Sequence, residues 1–329
     1  MKKFLSFFTM LLIFVHSIAG ASEKFNERPE VQKFIQHMVQ KHHFDANQLN
    51  QWFSKVSIQP KILAAIAKPA EKLPWYKYEP IFVTSKRINE GVVFWDQNKP
   101  ALEKAEKQYG IPAEVIIAII GVETFYGRQQ GQYNVLDSLS TLAFDYPPRS
   151  KFFLSELEEF LLLAREEKWD PSQIRGSYAG AMGKPQFMPS SYRKFAVDFS
   201  AHGKRDLLND TDDSIGSVAN YFKEFGWEKG GEIIIPALAI GEKFKPHIAS
   251  KFNPEPTLSL NQVTELGIKL NGSHKLKDQP FALIVLEGKS GPEYWLGAKN
   301  FYVITRYNHS DHYAMAVYNL SQKIKEKHG

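Results

Sequence analysis

The chain has 329 residues, of which 43% are apolar and 23% charged, and a formal net charge of +5. This composition excludes a disordered or low-complexity polypeptide and is long enough for two or three packed units. The mild positive excess argues against a nucleic-acid binder and suits a polyanionic surface such as a cell wall, while the absence of cysteine removes disulfides and a thiol for lipid attachment.

The chain opens on what reads as a secretory signal over residues 1–21: Lys2 and Lys3, a mostly apolar run from Phe4 to Ile18, and the small residues Ala19, Gly20 and Ala21. The expected mature product starts near Ser22, without a membrane anchor, and is soluble. From Arg28 to about Gly110 the pattern is helical. Val31, Phe34, Ile35, Met38 and Val39 form the first stripe, Asp45 is placed to cap the next helix, and Pro100 marks an interruption before Gly110. A second helical region, Ile111 to Trp227, is broken by stretches rich in Gly, Pro and Ser at Tyr146 to Ser150 and Gly176 to Ser191, and loops of such length in a compact domain tend to carry function. Past Gly230, the segments EIIIPALAI, FALIVLEG, EYWLG and NFYVITRYN read as strands, with GKSGP as a turn. A final helix is expected from Asp311 to Lys327. The expected organisation is a helical domain at 22–110, a second helical region forming the core at 111–230, a small β domain at 231–308, and a C-terminal helix at 309–329 that packs back on the helical region.

Within IPAEVIIAIIGVETFYG, Glu123 follows Ile116, Ile119 and Ile120 by seven, four and three residues, so an acid occupies a helix face built of aliphatics. No other charged side chain occurs between Glu114 and Arg128. Desolvation and the negative end of the helix dipole, with Gly127 read as the stop signal, are both expected to favour the protonated acid. A carboxyl kept protonated is what general acid catalysis of glycoside cleavage needs. The bland alternative is a structural acid paired with Arg128 or Arg149. In GSYAGAMGKPQFMPSSY, Gly176 to Tyr192, glycines allow close backbone approach to a ligand, Ser177 and Gln186 offer hydrogen bonds, and Phe187, Met188 and Tyr192 offer flat or soft apolar faces. Ser177 and Gln186 could equally cap nearby backbone, and the aromatic residues could be ordinary core.

GVETFYG, LDSLSTLAFDYPPR, GSYAGAMGKPQFMPSSY and IGSVANYF, in this order, closely resemble the lytic murein transglycosylases of the B type, and the similarity runs from about Phe25 to Leu320. The resemblance implies a mainly α (α+β) protein with a lysozyme-like core. It implies non-hydrolytic cleavage of the β-1,4 bond between N-acetylmuramic acid and N-acetylglucosamine of peptidoglycan, leaving a 1,6-anhydromuramyl end, with Glu123 as single acid/base. It also implies glycan contacts at Ser177, Gln186, Phe187, Met188, Tyr192, Tyr221, Tyr307, Asn308 and Tyr313. The implied partners are peptidoglycan glycan strands and other cell-wall enzymes. A muramidase that admits water and a catalytically idle wall-binding scaffold stand as alternatives.

No cofactor is required on this reading; the one metal it allows is a structural calcium ion. Some members of the family carry an EF-hand-like loop at the stretch that reads DFSAHGKRDLLNDTDD here. The candidate positions are Asp198, Ser200, His202, Lys204 and Asp213, with Gly203 at the sharp turn. His202 replaces an expected carboxylate, Asn209 stands where a bidentate acid would help, and Lys204 adds a positive charge. Asp137 and Asp145 are the acids that could pair with Glu123, although Asp137 reads first as an N-cap. His309 and His312 begin the last helix, with no third metal ligand evident nearby.

Overall fold

The computed structural model describes residues 24–66, 73–270 and 278–329, and the expected signal segment lies outside them. The chain divides into two compact units, 1–55 and 56–329. In the first, helices α1 (Pro29–His42) and α2 (Ala46–Phe53) follow a single 3-10 turn. The Asp45 carboxylate accepts the Gln48 amide at 2.7 Å, as its position before the apolar stripe predicts. Phe25 and Phe34 close on Phe53, with ring centroids 6.3 and 5.9 Å away.

The second unit begins with helices α3 (Pro60–Ile66), α4 (Trp75–Phe82), α5 (Ser85–Gln97) and α6 (Lys99–Tyr109). Asn98 separates α5 from α6, Pro100 lies in the first turn of α6 where its missing N–H costs nothing, and Gly110 ends α6 at φ 80°. Helix α7 (Ala113–Thr124) is apolar nearly all round because it is covered nearly all round. Helices α5, α6, α11 (Thr211–Glu224) and α14 (Asp311–His328) all pack on it. Its N-terminal turn is tied to α14 by Lys325 Nζ on Glu114 Oε1 at 2.8 Å.

Helices α8 (Val135–Asp145) and α9 (Ser150–Glu166) pair next. The cap of α8 is Asn134, whose side chain accepts the Asp137 amide at 3.0 Å, and not Asp137 as expected. Asp137 lies one turn in, and its carboxylate accepts the Ser57 amide at 3.1 Å. A two-residue ladder of β1 (Tyr133–Asn134) and β2 (Arg175–Gly176) closes the base of the Gly176 to Ser191 loop, which leads into α10 (Pro189–Phe195).

The sheet contains β3 (Ile234–Ala239), β4 (Ile268–Leu270), β5 (Ala282–Gly288) and β6 (Gly291–Gly297), all antiparallel in the order β4-β3-β6-β5, with α12 (Leu260–Glu265) before β4. Lys289 and Ser290 form the tight β5–β6 turn between the paired Gly288 and Gly291, as GKSGP predicts. Ile235, Phe244, Val263, Phe281, Leu283 and Leu296 make the core of this part.

NFYVITRYN, expected as a strand, is instead mostly helix α13 (Lys299–Thr305). Its Asn300 side chain takes up Glu228 N, Glu228 O and Gly231 O at 2.8, 2.9 and 3.1 Å, which pulls the chain off the sheet after Gly297. Phe301, Val303 and Ile304 are then buried on a helical face, so tertiary packing overrides their β preference. Among the described residues no helix is long and apolar enough to cross a membrane.

Candidate active site

Glu123 lies in the last turn of α7, half-buried, between the buried Val122 and the fully covered Thr124. The helix ends sooner than Gly127 predicts. Phe125 is the C-cap at φ 52°, and Tyr126 (φ 62°) and Gly127 (φ 85°) continue in the left-handed region. Two of the three are not glycine, so the turn stores about 1–2 kcal/mol of strain at each. The surroundings must hold it there. Thr124 contributes: its hydroxyl accepts the Gly127 amide at 2.9 Å and donates to Lys184 O at 2.7 Å, linking the helix exit to the Gly176 to Ser191 loop.

The phenol of Tyr313 donates to Glu123 Oε1 at 2.6 Å. Tyr313 is on the first turn of α14, which Ser310 caps by accepting the Tyr313 amide at 3.2 Å. Tyr307 stacks on Tyr313 with centroids 6.3 Å apart and planes 10° from parallel, and Tyr221 and Phe187 continue the file of rings, 4.9 and 5.8 Å from Tyr307. Burial raises all three phenols above the ordinary range. The Glu123 charge pushes each in the same direction, so they stay neutral donors beside a carboxylate. Tyr307 Oη donates to Pro185 O at 2.5 Å and Tyr221 Oη to Arg306 O at 2.6 Å, which leaves ring faces and edges as what these residues present.

The loop is rigid for reasons visible in its backbone. Gly183 has φ 74°, and a Cβ there would sit 2.4 Å from Leu207 O. Met182 and Phe187 exchange backbone hydrogen bonds at 2.9 and 3.0 Å. Ser177 Oγ accepts the amides of Ala179 and Ala181 at 3.3 and 3.0 Å. Gln186, itself at φ 51°, spends both amide hydrogens on Gln130 O and Gly183 O at 3.1 and 2.9 Å, which leaves Oε1 for other partners. Met188 is half-buried at the N-cap of α10, and Asn308 is half-buried beside Tyr307.

Tyr192 goes elsewhere. It is 0% exposed, its hydroxyl bridges Arg205 O and Leu207 N at 2.9 and 3.0 Å, and its ring meets Trp169 edge-on. It anchors the 198–213 segment. Arg128, offered as the bland partner of Glu123, pairs with Glu90, and Arg149 stacks over Phe152 at 4.2 Å. His312 is buried between Trp75 and Tyr78, ring centroids 5.7 and 5.5 Å away, while His309 is exposed.

In the 198–213 loop, Asp198 accepts the His202 and Gly203 amides at 2.9 and 2.8 Å. Asp213, 1% exposed, accepts Phe199 N, Ser200 N and Ser200 Oγ on one oxygen and Asp206 N on the other, at 2.7, 3.0, 3.1 and 2.8 Å. Lys204 Nζ approaches Asp206 at 3.3 Å and His202 Nδ1 approaches Asp210 at 3.5 Å. Ser200 Oγ thus meets both Asp213 and His202 Nδ1, at 3.1 and 3.0 Å, while the Lys204 ammonium is drawn to Asp206.

The family model of the transglycosylase SLT domain matches residues 26–322. The chain belongs to the lytic transglycosylase family. It is 42% identical over 322 residues to the membrane-bound lytic murein transglycosylase B of Escherichia coli (strain K12), which covers 94% of this chain and 86% of the relative. Among solved structures, the soluble lytic transglycosylase SltB1 from Pseudomonas aeruginosa is 47% identical with a TM-score of 0.85, covering 91% of this chain and 99% of that one. The Escherichia coli lytic transglycosylase Slt35 in complex with calcium is 43% identical with a TM-score of 0.84, covering 92% and 95%. As its match to these solved structures implies, the fold is mostly helical with small sheets, and α7 ends within GVETFYG, one of the motifs the resemblance rests on.

Proposed function

We propose that this lytic transglycosylase cleaves the β-1,4 bond between N-acetylmuramic acid and N-acetylglucosamine of peptidoglycan and leaves a 1,6-anhydromuramyl end, with Glu123 as its single acid/base. The observation that carries this reading is the 2.6 Å hydrogen bond from Tyr313 to a half-buried Glu123 at the end of a file of rings. A neutral phenol holds the carboxyl at Oε1, and the carboxyl so oriented exchanges its proton with substrate.

Glu123 first protonates the glycosidic oxygen, and the bond to the departing sugar breaks. As a carboxylate it then removes the proton of the muramyl C6 hydroxyl, whose oxygen attacks C1. The phenol at Oε1 stabilises the charged stage and holds the carboxyl through both steps. Phe187, Tyr221, Tyr307, Asn308 and Tyr313 form the wall against which the glycan is held, Met188 lies at its edge, and Ser177 and Gln186 keep the loop in shape, with Gln186 Oε1 facing substrate. The substrate is the glycan strand of the cell wall, and the site of action is the periplasm. Regions 22–110, 111–230 and 231–308 serve as helical scaffold, catalytic core and β appendage. The 198–213 loop is held by its own amides around Asp213, so catalysis runs without calcium.

Mass spectrometry of products released from purified sacculi tests the reaction. Muropeptides lighter by one water than the reducing forms, absent with Glu123→Gln, are the expected result. Reducing ends would make the enzyme a hydrolase, and no release by a folded protein would make it a wall-binding scaffold.

A further inference from the structure

Arg87 lies 36 residues before Glu123 in the sequence, at the start of α5, yet its guanidinium is inserted where α4 and α7 both end. Nη1 donates to Ile81 O and Phe82 O at 2.9 and 2.7 Å, and Nε donates to Gly121 O at 3.0 Å. Its Cζ lies over the Phe125 ring, 5.1 Å from the centroid, and over the Phe82 ring at 5.6 Å. Its own carbonyl accepts the Tyr126 hydroxyl at 2.7 Å. The Tyr126 ring in turn covers Gly121, where a Cβ would meet it at 2.7 Å.

These contacts address the residues on both sides of Glu123. Gly121 is two residues before the acid, Phe125 two after, and Phe125 and Tyr126 are the non-glycine residues held at positive φ. Such a backbone persists only where its surroundings over-determine it. A planar fork that bonds the carbonyl at Gly121 while lying over the ring at Phe125 holds the helix end and its left-handed exit together. A lysine, with a single nitrogen, cannot occupy at once the two separate nitrogen positions by which the fork reaches Gly121 O and the Ile81 and Phe82 carbonyls.

We propose that Arg87 is a positioning residue for the reaction: by clamping Gly121, Phe125 and Tyr126 it holds the left-handed exit of α7 and so sets the direction of the Glu123 carboxyl. The role rests on Glu123 being the acid/base.

The test uses the full enzyme on soluble peptidoglycan fragments, with Arg87→Gln, Arg87→Lys and Glu123→Gln, and with each Arg87 variant also made in a Phe125→Gly background. Arg87→Gln is expected to lower kcat on the order of 10- to 100-fold, the loss that a misplaced catalytic group brings, with KM within about twofold. Glycine occupies φ near +52° without strain, so in the Phe125→Gly background the same substitution should cost only about threefold or less. If Arg87→Gln fails to fold, Arg87→Lys, which keeps the charge and loses the fork, is read in the same way. An unchanged kcat in the Arg87 variants, or an equal loss with and without Phe125→Gly, would overturn the positioning role while leaving Glu123 as the acid, provided Glu123→Gln is inactive. Retained turnover in Glu123→Gln would overturn both.

Discussion

Tyr313 reaches across 190 residues of sequence to place its hydroxyl 2.6 Å from Glu123 Oε1, and it does so from the first turn of a helix whose far end holds the other end of α7 through Lys325 and Glu114. The acid and its donor are thus fixed by two parallel tethers between the same pair of helices.

Glu123→Gln keeps the size of the side chain and can still accept from Tyr313, but it cannot exchange a proton. Turnover of sacculi is expected to fall by at least the 10²- to 10⁴-fold typical of general acid–base catalysis. Binding to sacculi and the melting temperature should stay close to those of the parent. A product assay alongside a sedimentation binding assay checks both.

Tyr313→Phe removes one charge-assisted hydrogen bond while keeping the ring that stacks on Tyr307. Such bonds contribute about 1.5–3 kcal/mol, so kcat should fall roughly 10- to 100-fold with little change in KM. Steady-state kinetics on soluble glycan fragments decide it; a change confined to KM would reassign Tyr313 to substrate binding alone.

Asp311, beside His312 at the buried start of α14, gives a pH signature. Burial pushes its carboxyl up to about 6 from an ordinary 3.8, against the His312 amide it accepts and the Lys251 charge, both of which pull it down. Because the folded value is the higher one, its contribution to stability is fully present below pH 4 and is lost as pH rises through 6, a difference of about 3 kcal/mol. Asp311→Asn should therefore raise the melting temperature at pH 7.5 and leave it nearly unchanged at pH 4. His312, which burial pushes down to about 4, loses its contribution as pH falls through that value. Melts of variant and parent at matched pH separate the two groups.

The loop around Asp213 predicts indifference to metal. Adding calcium or a chelator should move the melting temperature by less than about 1 °C, since only a ligand bound to the folded state shifts it. Asp213→Asn weakens the acceptor of four donors and should lower the melting temperature by several degrees, on the order of the 4–8 °C that each kcal/mol brings in a small domain or half that in a larger one. Calorimetry with and without chelator distinguishes the outcomes.

Much of this could be read from the chain itself. The aliphatic spacing around Glu123 placed the acid on the right helix and turn, Asp45 and Gly110 marked helix ends, and GKSGP marked the hairpin. Each is a local signal whose cause lies within a few residues. What escaped was non-local. NFYVITR has strand residues, and its helix is dictated by Asn300 bonding to Glu228 and Gly231 some 70 positions away. Tyr192 looked like groove wall because nothing in its own segment announces that Arg205 and Leu207 will occupy its hydroxyl. Arg87 carried no signal, since a lone arginine at a helix start gives no hint of the carbonyls it will bond. The helix stops at Phe125, two residues before the glycine that seemed to mark it, where Arg87 bonds Gly121 O and the Thr124 hydroxyl accepts the Gly127 amide.

The long span between Glu123 and Tyr313 also has a consequence in time. At roughly 5–20 residues per second, a ribosome makes Glu123 about 10 to 40 s before Tyr313. Throughout that interval the nascent chain carries the acid without the phenol that orients it and without the last helix that covers α7. A wall-cutting enzyme arranged in this order becomes competent only once α14 has been made.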